Sequence, residues 1–148
     1  APNGNAVERN FKLQGEYFRL KQDGTLTYND SAGSAVFNSV SGPFQADQSG
    51  YYVQGVWQFY PRWRVGYRYD ALRYGTLSNG IAGPGTANFP LLSNYSPSRN
   101  TLMLDFSATE FSRLRLQIAA DKARTGSTDN QIMLQYIHSL GAHGAHKF

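Results

Sequence analysis

The sequence predicts an all-β chain: an antiparallel transmembrane β-barrel segment of about six long strands, with short periplasmic turns and long outer loops. Three observations lead there. Apolar and polar residues alternate with a period of two rather than 3.6, as in strands with two unlike faces. Hydrophobic residues make up 41% of the 148 and aromatics 14%, yet mean hydropathy is −0.48. No run approaches the roughly 18 apolar residues of a membrane helix, whereas a barrel strand needs about 9 to 11. Connections between the alternating segments are by turns short and long.

The first expected strand, about Asn10 to Lys21, sets Phe11, Leu13, Gly15 and Tyr17 against Lys12, Gln14 and Glu16. The second, about Gly50 to Tyr60, sets Tyr51, Val53, Gly55, Trp57 and Phe59 against Tyr52, Gln54, Val56 and Gln58. The third, about Arg62 to Leu72, is the sharpest, with Trp63, Val65, Tyr67 and Tyr69 opposite Arg62, Arg64, Gly66, Arg68 and Asp70. The fourth spans about Asn100 to Ala108 and places Leu102, Leu104 and Phe106 opposite Thr101, Met103, Asp105 and Ser107. The fifth, about Ser112 to Lys122, opposes Leu114, Leu116, Ile118 and Ala120 to Arg113, Arg115, Gln117 and Asp121. The sixth starts near Asn130 with Ile132, Leu134, Tyr136 and Leu140 on its apolar side, and the same parity reaches Phe148.

Tyr60-Pro61-Arg62 and Ala108-Thr109-Glu110 read as tight turns. The stretches Gln22 to Ser49, Arg73 to Arg99 and Ala123 to Asp129 are longer and rich in Gly, Ser, Asn and Pro. Thr25 to Val40 has hairpin character but is read as part of an outer loop. This asymmetry matches bacterial outer-membrane barrels and puts both tight turns and the C-terminus at the periplasmic end. Phe59, Tyr60, Trp63, Phe106, Phe111 and Phe148 gather at that end as an interfacial aromatic girdle. A soluble antiparallel sandwich or ligand-binding barrel is the competing architecture, since its strands alternate too.

Composition narrows the function classes. The net charge of +4 is spread along the chain without a basic block, so no nucleic-acid partner is expected. There is no cysteine, which removes disulfide frameworks and thiolate metal sites. The opening Ala-Pro-Asn-Gly-Asn-Ala has neither a basic nor an apolar leader, so any export signal is expected to have been removed or to lie upstream.

The ending from Leu134 to Phe148 resembles the C-terminal strand of outer-membrane porins, and with Asp105 to Leu116 it is similar to the metal-regulated and phosphate-selective-porin-like group. That resemblance implies localisation in the bacterial outer membrane and an assembly signal, read by the barrel-insertion machinery, at Phe148, Tyr136 and Leu140. The Gly-, Ala- and His-rich stretch Gly141 to Lys147 departs from a typical final strand. Such porins are much longer, and six strands are fewer than the eight of the smallest single-chain barrels. Residues 1–148 are therefore expected to be a single barrel segment, the C-terminal part of a larger barrel. Further strands would come from the same precursor or from other chains, and the outer faces would meet the lipid bilayer.

Turning the polar faces inward places Lys12, Arg62, Arg64, Arg68, Arg113 and Arg115 along the lumen with Glu16, Asp70, Asp105 and Asp121. Cations in a narrow wet path favour anions, and guanidinium groups bind phosphate or carboxylate through paired donors. The plainer reading is that these charges pair across neighbouring strands, for instance Arg68 or Asp70 with Asp105 or Arg113. His143 and His146 are weak metal candidates, because three positions apart in a strand they point to opposite faces. His138 and Ser139 are adjacent and so opposed, which makes them no nucleophile and base pair. No enzymatic activity, cofactor or metal is expected. The functions left in view are a porin-like channel wall for small, preferentially anionic solutes, a structural barrel segment completed by other chains, and a soluble β-barrel binding a small apolar ligand.

Overall fold

The structure is a computed structural model that describes residues 9–30, 38–80, 95–109 and 111–139. Six strands occupy nearly all of them: β1 Asn10–Asp30, β2 Asn38–Tyr60, β3 Trp63–Asn79, β4 Ser98–Phe106, β5 Ser112–Arg124 and β6 Ser127–His138. They form one open antiparallel sheet in the order β1-β2-β3-β4-β5-β6, so every strand lies beside its neighbour in sequence. This is the all-β antiparallel architecture expected, since short connections favour adjacent antiparallel pairing.

Several boundaries differ from expectation. Most of Gln22 to Ser49 is strand, because β1 runs to Asp30 and β2 starts at Asn38. β3 likewise continues through Arg73 to Asn79. Polar, glycine-containing sequence reads as loop, yet cross-strand hydrogen bonds satisfy such a backbone as well as an apolar one. The connection expected across Ala123 to Asp129 shrinks to a turn at Thr125-Gly126, with Gly126 at φ 73°. The β5–β6 register pairs Leu114 with Tyr136, Leu116 with Leu134 and Ile118 with Ile132, and shifts between Asp121 and Arg124. That irregularity absorbs the mismatch before the turn.

The chain divides into two compact units. The first contains residues 1–15, 53–69 and 99–148, and the second residues 16–52 and 70–98. In the first, the Ser107 amide donates to the Arg62 carbonyl at 2.9 Å, and the Ser139 amide to the Phe111 carbonyl at 2.8 Å. These bonds tie each tight turn to the strand beside it. The β4–β5 turn is closed by Thr109, whose hydroxyl accepts from the Phe111 amide at 3.2 Å and meets the Ser112 hydroxyl at 2.9 Å. Such local side-chain bonding is what hydroxyl residues supply in turns.

In the second unit, Arg19 pairs with Asp47 through both guanidinium Nε (2.8 Å to Oδ1) and Nη2, and the Thr27 and Ser41 hydroxyls meet at 2.9 Å. Phe18 and Leu72 cover Gly50 so closely that a side chain there would overlap both. Gly75, at φ 61°, faces the Asp47 carbonyl with no room for a methyl group.

Exposure runs opposite to that of a soluble domain. The buried hydrophobic residues among those described are three alanines, Ala46, Ala71 and Ala119, whereas Gln58 and Asp105 are fully buried. In the first unit the open side chains include Leu13, Val53, Trp57, Leu102, Leu114 and Ile132. Half-exposing one such side chain forgoes about 1 kcal/mol. Summed over that face, the deficit is on the order of the whole stability of a domain.

Arg62 has φ 70° in the Pro61-Arg62 turn. Proline suits the first turn position, but a left-handed second position favours glycine. Arg62→Gly should therefore raise stability by about 1 kcal/mol. Gly126→Ala, with open space around it, should cost about the same, and Gly75→Ala clearly more. Urea titrations followed by band shift on unheated gels check the order of the three.

Candidate functional site

The candidate site is the polar face of the first unit. Strand alternation builds it from even positions of β1 to β3 and odd positions of β4 to β6. Side-chain contacts confirm that parity. Asn10 reaches Gln58, Gln58 reaches Arg64, and the methyl group of Met103 and Val56 lie over Gly66. On the opposite face Trp63 packs on Phe106 with centroids 4.8 Å apart, and the Tyr67 hydroxyl meets Asn100 at 2.6 Å.

Asp105 on β4 is the most enclosed charge among the described residues, 1% exposed. Arg115 on β5 grips it with two hydrogen bonds, Nε to Oδ1 at 2.7 Å and Nη2 to Oδ2 at 3.0 Å. Arg113 approaches the same carboxylate, with Nη1 3.9 Å from Oδ2 and its buried Nε without a hydrogen-bond partner. A two-bonded guanidinium–carboxylate pair fixes both planes and offsets the cost of taking the carboxylate out of water. At the other end of β4, Arg99 bridges to Asp121 on β5 at 3.6 Å and to Gln131 on β6 at 3.0 Å. Between these clusters lie the shielded Thr101 and Ala119.

The third polar group centres on Gln58, fully buried on β2. Its carbonyl oxygen accepts from Asn10 Nδ2 at 3.3 Å and from Arg64 Nε at 3.2 Å. The face therefore holds Lys12, Arg64, Arg68, Arg99, Arg113 and Arg115 against Asp105, Asp121 and Asp129, an excess of positive charge along the sheet. Charges on so shielded a surface act over longer range than in open water.

The structure thus brings Asp105, Arg113 and Arg115 into one cluster across β4 and β5, whereas the cross-strand expectation sets Asp105 and Arg113 against Arg68 or Asp70. Arg64 and Lys12 share their face, with Lys12 exposed on β1. Arg62 sits in the turn with a left-handed backbone, so strand alternation does not assign its side chain to a face. Arg68 continues the β3 alternation, and Asp70 belongs to the second unit. Charge-based reading passed over Gln58 and Asn10, which are neutral, and left Arg99 in a loop. The available signal was Gln58's place on a polar-face parity beside the tight turn.

Of the expected girdle, Trp63 and Phe106 are in contact, Phe59 lies 5.9 Å from Trp57, and Tyr60 and Phe111 are exposed at the same tight turns. Tyr136 is 67% exposed on β6, its ring 6.2 Å from His138. Leu140, His143, His146 and Phe148 lie outside the described residues. Among the described residues no cluster of three or more His, Cys, Asp or Glu side chains is placed to hold a metal.

No protein-family profile and no solved structure matches this chain. An uncharacterized protein of Aquifex aeolicus (strain VF5) is 34% identical over 145 residues, 95% of this chain and 27% of the relative. The chain therefore spans about a quarter of the length of the curated relative it matches.

Asp105→Asn should lower stability by about 2–3 kcal/mol, because it leaves two partly enclosed guanidinium groups without their counter-charge. Adding Arg115→Gln to it should restore part of the loss. Equilibrium urea unfolding of the two variants, with Arg115→Gln alone closing the cycle, measures the coupling.

Proposed function

We propose that this chain is a wall segment of an outer-membrane porin-like β-barrel, lining a path for diffusion or uptake of small solutes with anions favoured. One observation carries the reading: the sheet hides polar side chains and leaves its large apolar ones bare. In water that arrangement is costly, whereas in a bilayer the apolar face meets acyl chains and the polar face lines water. The excess of arginine and lysine on the polar face supports the anion preference. The aromatic contacts at the tight-turn end support a girdle at one membrane interface. No enzymatic role is proposed.

The open edges support a barrel completed by additional strands, from the same precursor or from other chains. In the first unit Phe11 and Leu13 on β1 and Ile132, Leu134 and Tyr136 on β6 are 65–78% exposed, against 51% or less on the apolar face of the strands between them. The difference is the flank that a neighbouring strand would cover, and unpaired edges are not tolerated in lipid. A segment that closes a barrel without itself conducting is the second reading. A soluble barrel for an apolar ligand has less support, since the described residues enclose no core of large apolar side chains. Recognition by the barrel-insertion machinery through Tyr136, Leu140 and Phe148 belongs to the same proposal.

Two measurements test membrane embedding. The protein should require detergent or lipid to stay monodisperse, and a folded, soluble species in plain buffer would overturn the reading. The two tryptophans, Trp57 and Trp63, lie near one end of the apolar face. In brominated-lipid vesicles their fluorescence should be quenched most by labels near the headgroups and less by labels at the bilayer centre.

A further inference from the structure

The arginines of the polar face are not equivalent. Arg115 spends two donors on the Asp105 carboxylate, and Arg99 divides its terminal nitrogens between Asp121 and Gln131. Arg113 shares the Asp105 charge at 3.9 Å. Arg64 differs in kind, since its Nε donates to the neutral carbonyl oxygen of Gln58. That bond orients the guanidinium without cancelling its charge, and leaves both terminal nitrogens available to a further acceptor.

Gln58 is itself suited to hold a side chain in place. It is fully buried, and Asn10 donates to the same oxygen at 3.3 Å. A buried amide with its acceptor engaged twice has little freedom to rotate away. Half-buried Arg64 is thereby fixed on the polar face at the tight-turn end of β3, one residue past Trp63.

We propose that Arg64 is a specificity-determining residue of the solute path, presenting to anionic solutes a cation that no described carboxylate pairs, and that Gln58 is the residue that positions it. The proposal rests on the channel reading above. Asp105 and Asp121, by contrast, tie their arginines into cross-strand clusters: Asp121 offsets Arg99, Arg113 and Arg115 share the one charge of Asp105, and Lys12 is a further, exposed cation of the face. Removing one unit charge from a confined aqueous path should change the local concentration of a monovalent ion by about threefold.

The test is the reversal potential of the natively assembled barrel in planar bilayers under a potassium chloride gradient. The unaltered barrel should prefer chloride. Arg64→Gln should lower the chloride-to-potassium permeability ratio by about threefold or more. Arg64→Lys, which keeps the charge, should retain most of the preference. Gln58→Glu, which sets a carboxylate against Arg64, should lower the ratio as Arg64→Gln does, in a barrel that still shows the band shift of a folded protein on unheated gels. If Arg64→Gln fails to assemble, Gln58→Glu decides alone. An anion-selective barrel whose ratio is unmoved by these changes overturns the role of Arg64 and leaves the channel standing. A barrel without conductance, or without chloride preference, overturns the channel reading itself.

Discussion

A side chain in a strand has two directions available, and antiparallel pairing passes the choice from strand to strand. In the first unit this constraint governs everything else. Because Leu116 stands opposite Leu134, Arg115 must share its face with Gln135 and Gln117 with Met133. Asp105 can then be reached from β5 only by side chains of the same parity, and Arg113 and Arg115 are the two that reach it. A slip of one residue would put those arginines among the leucines and carry Trp63 and Phe106 away from each other. The polar clusters and the apolar face are one outcome of a single register.

That register also explains why burial and hydrophobicity are decoupled. A single sheet has no second layer to press its apolar face against, so shielding falls to whichever face has side chains long enough to cover one another. Arginine, glutamine and methionine do this on the polar side, where Arg115 lies against Asp105 and Met103 against Gly66. Leucine and isoleucine on the other side meet nothing of the sheet beyond their own neighbours. The membrane embedding proposed above would cover that apolar face, since lipid requires no complementary shape.

The tight turns add a smaller constraint of the same kind. Arg62 holds a left-handed backbone, and its carbonyl accepts from Ser107 at the end of β4. The turn joining β2 and β3 thereby aligns β4 with them, and Thr109 and Ser112 set the next hairpin. Strain at one residue is tolerated because the bond it orients joins two hairpins.

Much of this was legible in the amino-acid order. Alternation alone determined the strand class, the two faces and the tight turns at Pro61-Arg62 and Ala108-Thr109, because a period of two leaves no other regular structure for Trp63 to Tyr69 or Leu114 to Ala120. It also put Asp105, Arg113 and Arg115 on one side. What only the tertiary structure decided was how those side chains share their charge, and where the strands end. Alternation gives a residue's face but not its distance to the next strand, so Asp105 could be assigned to the polar side without showing that Arg115 grips it. The extension of β1 and β2 through polar, glycine-bearing sequence depended on backbone pairing, which is indifferent to side-chain polarity. Gln58, a neutral residue among charged ones, acquired its importance from burial beside Asn10 and Arg64. No pattern along the chain records that meeting, because it joins positions 48 and 6 residues apart through the register of three strands.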